Sequence, residues 1–401
     1  GVSMMTIAVI GGGNSAHTLI PLLSSTGMNI NLLTRRPEKW SKEVELDYIQ
    51  PTGEYVRSFK GKLNKISDDP ADIIPEADFI ILCLPVHIYR RILHSIAPYI
   101  NRKKDVFVGT VYGQGGFNWM TEEIKTKFNI DNIKTFAIGL IPWICRTETY
   151  GKKGIVYGAK PVNIAAVEPS SSFAFLNKTL LEKIASYWFG HGSFIQADTF
   201  LSLTLSVDNQ ILHTARMHGL SLEHSDGWKN TDNIPFVYAE YSELSAGLLK
   251  GLDTDYSHIK NRVKEQFPKK NFPYMMSYIE QDNMTNLKHN KTYLDTLSNS
   301  NILVRIKPPV VKTEDKWVLD RGHRFLVDDV LYGLCIAKSI AQMLKINTFH
   351  IDKTLAWAQE TMGESIISNH KLVISDQLRI NKFKYGVPEV YGLEYIEDIC
   401  S

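Results

Sequence analysis

Cysteine is scarce: the four in 401 residues, Cys83, Cys145, Cys335 and Cys400, stand far apart, and two lie in apolar runs, IILCLP and YGLCIAK. That spacing excludes a disulfide framework and a Cys-x-x-Cys metal knuckle, and it fits a reducing, cytoplasmic setting. Long apolar runs are missing too. The longest, Phe79–Val86 and Phe136–Cys145, fall well short of the roughly 18 residues a spanning helix needs, so no membrane partner is expected. There is no excess of one charge, since 45 Lys+Arg against 43 Asp+Glu leave +2, which argues against an electrostatic grip on nucleic acid. The chain shows no internal repeat, no low-complexity tract and no signal-peptide pattern, and Gly1-Val2-Ser3 ahead of Met4 reads as a cloning remnant. His218 and His224 lack a His-Glu-x-x-His spacing or clustered carboxylates, so no metal is expected.

What remains is ordinary globular composition, 44% hydrophobic and 22% charged, at a length suited to two or three domains. The first part, residues 1–197, alternates short β-rich runs (MTIAVI, INLLT, DFIILCLP, DVFVGTV, TFAIGLIPW, GIVYGA, VNIAAV) with helical stretches. Such alternation predicts βαβ units, a mainly parallel sheet and helices on both faces. From residue 198 to 401 the apolar spacing moves towards three and four, and 328–344 carries a wide apolar stripe. The second part is therefore expected to be mainly α-helical.

The N-terminal strand, read as Met4–Ile10, runs into Gly11-Gly12-Gly13-Asn14-Ser15-Ala16, with a helix predicted over His17–Ser24. Strand, G-x-G-x-x-A and helix in that order form a dinucleotide-binding turn. Gly11 permits the tight turn, Gly13 admits a pyrophosphate close to the backbone, and Ala16 packs helix on strand, while free N–H groups at the helix start receive phosphate. The second strand ends in Thr34-Arg35-Arg36, where an NAD site usually places an acid for the ribose 2′-hydroxyl. A guanidinium there grips a 2′-phosphate, so NADP(H) is the favoured cofactor and NAD(H) the alternative. Leu84-Pro85 end the strand expected to flank the same cofactor, and His87 just beyond is read as a surface residue at a helix start.

Reducing a carbonyl or imine needs a proton donor, and histidine suits the task near neutral pH. On a helix predicted over 204–219, Asn209 and His213 share one face at i and i+4, which makes His213 a candidate catalyst against the alternative of a packed histidine. In Arg321-Gly322-His323-Arg324-Phe325-Leu326-Val327-Asp328-Asp329, the two acids fit the N-cap or first turn of the following helix. The other use of this segment is an arginine holding a substrate carboxylate while an acid orients a histidine.

Taken together and in order, Gly11 to Thr18, Gln114-Gly115-Gly116-Phe117, Pro142-Trp143-Ile144-Cys145-Arg146, His213, Trp228, Arg324 to Asp329, Trp357-Ala358-Gln359 and Tyr391-Gly392 make the chain resemble the octopine/nopaline-type opine dehydrogenases. The resemblance covers nearly the whole chain. It implies an N-terminal Rossmann domain, a helical C-terminal domain, and NAD(P)H-dependent reductive condensation of an amino acid with a 2-keto acid such as pyruvate, by a monomer or homodimer. It also implies His213 as the group that protonates the reacting carbonyl or imine, Asp329 as its partner acid, and Arg324 as the keto-acid anchor. Gln114, Trp143 and Asn209 are the further expected substrate contacts, and Cys145 matches a family cysteine near the cofactor. Two departures matter. Thr214 replaces the usual proline after the histidine, and Gly139-Leu140-Ile141 lacks the acid that arginine-using members carry before Pro-Trp. The expected amine donor is therefore a smaller or more apolar amino acid than arginine. The alternatives are a reductase of a simple 2-keto acid and a non-catalytic dinucleotide sensor.

Overall fold

The buried β-branched runs of the first part do form strands in the computed structural model, which describes residues 5–298, 305–374 and 384–400. Met4 and the three residues before it lie outside the described residues. The chain divides into two compact units, Gly1–Thr204 and Leu205–Ser401, seven residues beyond the expected boundary at 197/198.

The first unit is built on one sheet of eleven strands: β1 (Thr6–Gly11), β2 (Asn29–Leu33), β3 (Glu43–Ile49), β4 (Tyr55–Ser67), β5 (Phe79–Cys83), β6 (Val106–Thr110), β7 (Ile133–Ile138), β8 (Trp143–Thr149), β9 (Lys153–Ala159), β10 (Val162–Glu168) and β11 (Ser193–Gln196). The order is β11-β10-β7-β6-β5-β1-β2-β4-β3-β9-β8. From β7 to β4 every pairing is parallel. Helices α1 (Asn14–Ser24), α2 (Val86–Ile96) and α3 (Phe117–Lys127) lie in the crossovers between these strands. This is a Rossmann sheet, as expected, but antiparallel partners extend it on both sides: β10 on β7, β3 on β4, and β8 on β9. The run TFAIGLIPW divides between β7 and β8. The apolar face of α1 closes against the sheet through Ala16, Leu19, Ile20, Leu22 and Leu23, all buried with Ile7, Val9, Ile30 and Leu32.

The second unit is mainly helical, as expected. Its long elements are α4 (Asn209–Glu223), α5 (Glu243–Gln266) and α6 (Phe349–Met362), with a hairpin of β12 (Val310–Thr313) and β13 (Lys316–Leu319). The predicted helix over 204–219 is broken at Ser206–Asp208, because Asp208 caps a new helix start with its side chain on the Asn209 N–H. The predicted helix over 328–344 begins earlier, at Arg324. It runs as α-helix over Arg324–Leu326, as a π-helical segment over Val327–Leu334, and again as α-helix over Cys335–Met343. Among the described residues, no helix is long and apolar enough to cross a membrane.

Candidate functional site

The glycine turn works as its spacing requires. Gly11 ends β1 at φ +125°, and a Cβ there would lie 2.1 Å from the carbonyl oxygen of Cys83, its register partner on β5. Only glycine fits. Gly13 precedes α1, and a Cβ built on it meets nothing within 4 Å, so the space over this residue is open to a ligand. The helix's first internal bond runs from the His17 N–H to the Gly13 carbonyl (3.2 Å), leaving the N–H groups of Asn14, Ser15 and Ala16 unspent at the positive end of the helix. The α1 start thus fits a pyrophosphate. Gly12, the open position of the pattern, is also constrained: a Cβ there would sit 2.6 Å from the Tyr150 hydroxyl. Asn14 does not offer its side-chain oxygen to a ligand, because it accepts from the Thr147 N–H (2.9 Å) and hydroxyl (2.8 Å). Thr34 is buried at the end of β2, whereas Arg35 and Arg36 are exposed beyond it. Leu84 and Pro85 continue β5 beside Gly11 into the start of α2, with His87 in its first turn, partly exposed.

His17 locks this turn to the rest of the sheet. Its Nδ1–H donates to the Gly13 carbonyl (2.8 Å) and its Nε2 accepts the Gly151 N–H (2.8 Å), with the ring against Trp40 at 4.5 Å. Burial lowers its pKa, and protonation would set two N–H groups against each other at Nε2. A histidine whose folded pKa lies below its unfolded value of about 6.5 contributes stability that is present above that value and lost as pH falls below it. The melting temperature is therefore expected to fall between about pH 7.5 and about pH 5.5, and His17→Gln should shrink that fall. Equal pH dependence in the two proteins would exclude this role.

In the second unit three elements converge on one imidazole. His213 lies one turn into α4 and is buried. Its Nδ1 is 2.8 Å from Asp329 Oδ2, and its Nε2 is 2.7 Å from the Tyr238 hydroxyl. The Phe325 ring stacks on it at 3.6 Å and 17°. Asp329 reaches the imidazole because it lies in the π-helical segment rather than at a cap, and because Gly333 lets that segment press on α4, where a Cβ would come within 2.6 Å of Gln210 Cγ. The expected capping role therefore falls to another residue. His323 caps the helix, its Nδ1 accepting the Phe325 N–H at 3.2 Å. The β12–β13 hairpin, bridged to Trp228 through Trp317 and packed with Leu220 and Ile234, delivers Arg324 and Phe325 to this point.

Electrostatics set the pair's charge state. Burial pushes the His213 imidazole down to about 3, with the Arg324 guanidinium adding to the effect against the Asp208 and Asp328 carboxylates. Burial pushes Asp329 well above the usual carboxylate range, and the Asp328 and Asp208 carboxylates add to that while Arg324 opposes it. Both groups are thus driven to their neutral forms. With both groups neutral, the 2.8 Å and 2.7 Å contacts are made when the Asp329 carboxyl donates to Nδ1 and Nε2–H donates to the Tyr238 oxygen. The site holds one transferable proton, shared across a buried pair.

The other expected site residues are placed differently. The Gln114 amide is buried and donates to the Gly139 and Leu203 carbonyls, both at 2.9 Å, so its nitrogen holds the loop after β7. Trp143 is a core residue whose indole N–H donates to the Ile184 carbonyl. Asn209 stands at the first position of α4, a turn before His213. The Cys145 thiol is pushed up to about 11 by burial and is not a reactive thiolate. His218 stacks on Trp357, and His224 tilts over Trp228. No group of three or more His, Cys, Asp or Glu among the described residues is placed to hold a metal. Tyr238 was not legible beforehand, since it lies in a turn 25 residues after His213 with no periodicity to mark it.

A dinucleotide turn on a Rossmann sheet and a buried carboxyl–imidazole pair on a helical unit define a pyridine-nucleotide-dependent oxidoreductase. Residues 6–110 match the family described as NADP oxidoreductase, coenzyme F420-dependent, and residues 196–362 match the NAD/NADP octopine/nopaline dehydrogenase alpha-helical domain. The helical unit thus matches the family to which the sequence motifs point. The chain is 27% identical to an opine dehydrogenase of Haliotis discus hannai over 99% of this chain and 98% of that one. It is similar in fold to octopine dehydrogenase with NADH and L-arginine (TM-score 0.79, 21% identity, 99% of this chain and 98% of that one). It is also similar to NADP+-bound yersinopine dehydrogenase (TM-score 0.63, 13% identity, 98% and 96%).

Proposed function

We propose that this protein, a cytoplasmic monomer or homodimer, condenses an amino acid with a 2-keto acid such as pyruvate and reduces the product to an opine, using NAD(P)H, and that it catalyses the reverse oxidation. The observation that carries this reading is the buried His213–Asp329 pair beside Arg324. In it, Arg324 anchors the keto-acid carboxylate through paired hydrogen bonds. As the amine adds, the carbonyl oxygen takes a proton from the pair and becomes a hydroxyl. That hydroxyl leaves as water with a second proton, which the amine nitrogen releases through the same pair, and a protonated imine (iminium) remains, ready to take hydride without a further proton. The reduced nicotinamide, when bound, supplies hydride to the imine carbon. Phe325, stacked on the imidazole, fixes the plane in which its nitrogens act.

The cofactor is NADP(H) in this reading. Arg35 and Arg36 are exposed at the tip of β2, and Glu38 is the nearest acid in the sequence after them. Replacing both arginines by alanine should weaken NADPH binding by about tenfold to a hundredfold, the worth of a lost charge-assisted contact, and leave NADH within about threefold. Titration of both nucleotides decides this, and equal affinities in the unaltered protein would reverse the preference. The amine donor is smaller or more apolar than arginine, because Gly139-Leu140-Ile141 offers no carboxylate to a guanidinium. The deciding assay follows NAD(P)H oxidation with pyruvate, with and without a panel of amino acids. Oxidation that needs both substrates is expected. Oxidation by the keto acid alone would instead make the protein a simple keto-acid reductase.

A further inference from the structure

The imidazole of His213 has no nitrogen left for a substrate. Asp329 takes Nδ1 and Tyr238 takes Nε2, at 2.8 and 2.7 Å, and Phe325 covers one ring face. Any proton that the pair releases through Nε2 must therefore pass to the Tyr238 oxygen or wait for Tyr238 to leave. Tyr238 is held in place. Its turn is fastened to α4 by Arg216, fully buried one turn beyond His213, whose Nη2 donates to the Phe236 (3.0 Å) and Glu240 (2.8 Å) carbonyls that bracket the tyrosine. Nη1 donates to Ser245 Oγ (3.1 Å), and Val237 N–H is bound by the Ile306 carbonyl (2.7 Å). A buried arginine that spends both Nη2 donors on one turn fixes that turn, because leaving those bonds unmade in the interior is costly. Tyr238 has no second hydrogen bond among the described residues, so its own O–H is uncommitted while its oxygen accepts from Nε2. The Arg324 charge acts on Tyr238 as it does on His213 and Asp329, which places the anchor for a keto-acid carboxylate within the field of all three.

We propose that Tyr238 is the proton-delivering residue of this site: its hydroxyl gives its proton to the carbonyl oxygen of the keto acid held by Arg324 and is reloaded from His213 Nε2, so that Asp329, His213 and Tyr238 act as one relay. This rests on the reading that the site reduces an imine formed from a keto acid. The transfer balances without any change of oxidation state. The Tyr238 O–H bond breaks as the substrate O–H forms, Nε2–H breaks as the tyrosine O–H is restored, and the Asp329 O–H breaks as Nδ1–H forms. One proton has moved from Asp329 to the substrate, and the carboxylate left behind is favoured by the Arg324 charge. In the oxidative direction the same chain runs backwards and returns the proton to Asp329. Arg216 is a positioning residue in this scheme.

The test uses the full chain. Tyr238→Phe should lower kcat in both directions by about a hundredfold or more, the usual worth of a positioned acid, with the KM for keto acid and the affinity for NAD(P)H within about threefold and the melting temperature nearly unchanged. A fluorotyrosine at 238, more acidic than tyrosine, should move the pH profile of kcat to lower pH, which a packing role would not do. Full activity in Tyr238→Phe, or a pH profile indifferent to fluorination, would overturn the relay. A third readout does not depend on turnover. With 15N-labelled histidine, His213 Nε2 should show a bonded proton in the unaltered protein and change its shift in Tyr238→Phe. A bare Nε2 would mean that the tyrosine donates inward, and the relay would be wrong. Failure to oxidise NAD(P)H with any keto acid and amine would count against the proposed reaction, while the nitrogen spectrum would still decide the relay.

Discussion

His213→Ala is expected to lower kcat by about 10²- to 10⁴-fold, the range for loss of a positioned acid–base group, while dinucleotide affinity stays unchanged. The two effects separate because the glycine turn lies in the first unit and His213 in the second. The substitution also leaves the buried Asp329 carboxyl and Tyr238 hydroxyl without their shared partner. An unmade buried hydrogen bond costs about 1–3 kcal/mol, so a melting temperature lower by several degrees accompanies the kinetic loss, and assays belong well below it. Asp329→Asn should fall in the same kinetic range, because the carboxamide can donate a hydrogen bond to Nδ1 but has no acidic proton to transfer. The double variant should be no slower than His213→Ala alone, since groups that act as a unit are not additive. Steady-state kinetics with nucleotide titration checks all three. A His213→Ala protein that keeps turning over would remove the imidazole from the mechanism.

The parallel heart of the sheet was legible because β1, β2, β5, β6 and β7 are buried on both faces and so read as continuous apolar runs. Strands β3 and β4 were not. β4, YVRSFKGKLNKIS, is largely exposed and buries Phe59, Gly61 and Leu63 at alternate positions, so its polar residues hide the strand from a search for apolar runs. At the site, spacing alone made Asp329 a helix cap, which is the ordinary fate of an acid before an apolar stripe. Its true direction depends on a π-helical segment, a local change of hydrogen-bond partner that leaves no periodic trace. Tyr238 depends on Arg216 gripping a turn by its carbonyls, and backbone acceptors have no sequence identity to read. The resemblance carried His213 and Arg324 further than spacing did. It also gave Gln114 and Trp143 substrate roles, and in the structure the Gln114 amide nitrogen and the Trp143 indole N–H each donate to backbone carbonyls.

Gly11→Ala and Gly13→Ala, two residues apart in one motif, are expected to fail in opposite ways. At Gly11 the added methyl would stand 2.1 Å from the Cys83 carbonyl oxygen, an overlap with backbone that no rotamer relieves, and φ +125° is itself strained for alanine. Moving the oxygen would break the β1–β5 pairing at the very point where β5 turns towards Leu84 and Pro85. A loss of about 3 kcal/mol or more is expected, enough to lower the melting temperature by roughly 6–12 °C in a unit of this size. At Gly13 the methyl would meet nothing within 4 Å, and φ −86° suits any residue. Gly13→Ala should therefore melt with the unaltered protein. Its methyl instead occupies the space over the first turn of α1, where the Asn14, Ser15 and Ala16 N–H groups await a pyrophosphate. Dinucleotide affinity should fall by about a hundredfold, or near 3 kcal/mol, with no change in fold. Melting curves alongside nucleotide titration separate the two. A Gly13→Ala protein that binds NAD(P)H normally would show that the pyrophosphate does not lie over this turn, and the cofactor reading would fall with it.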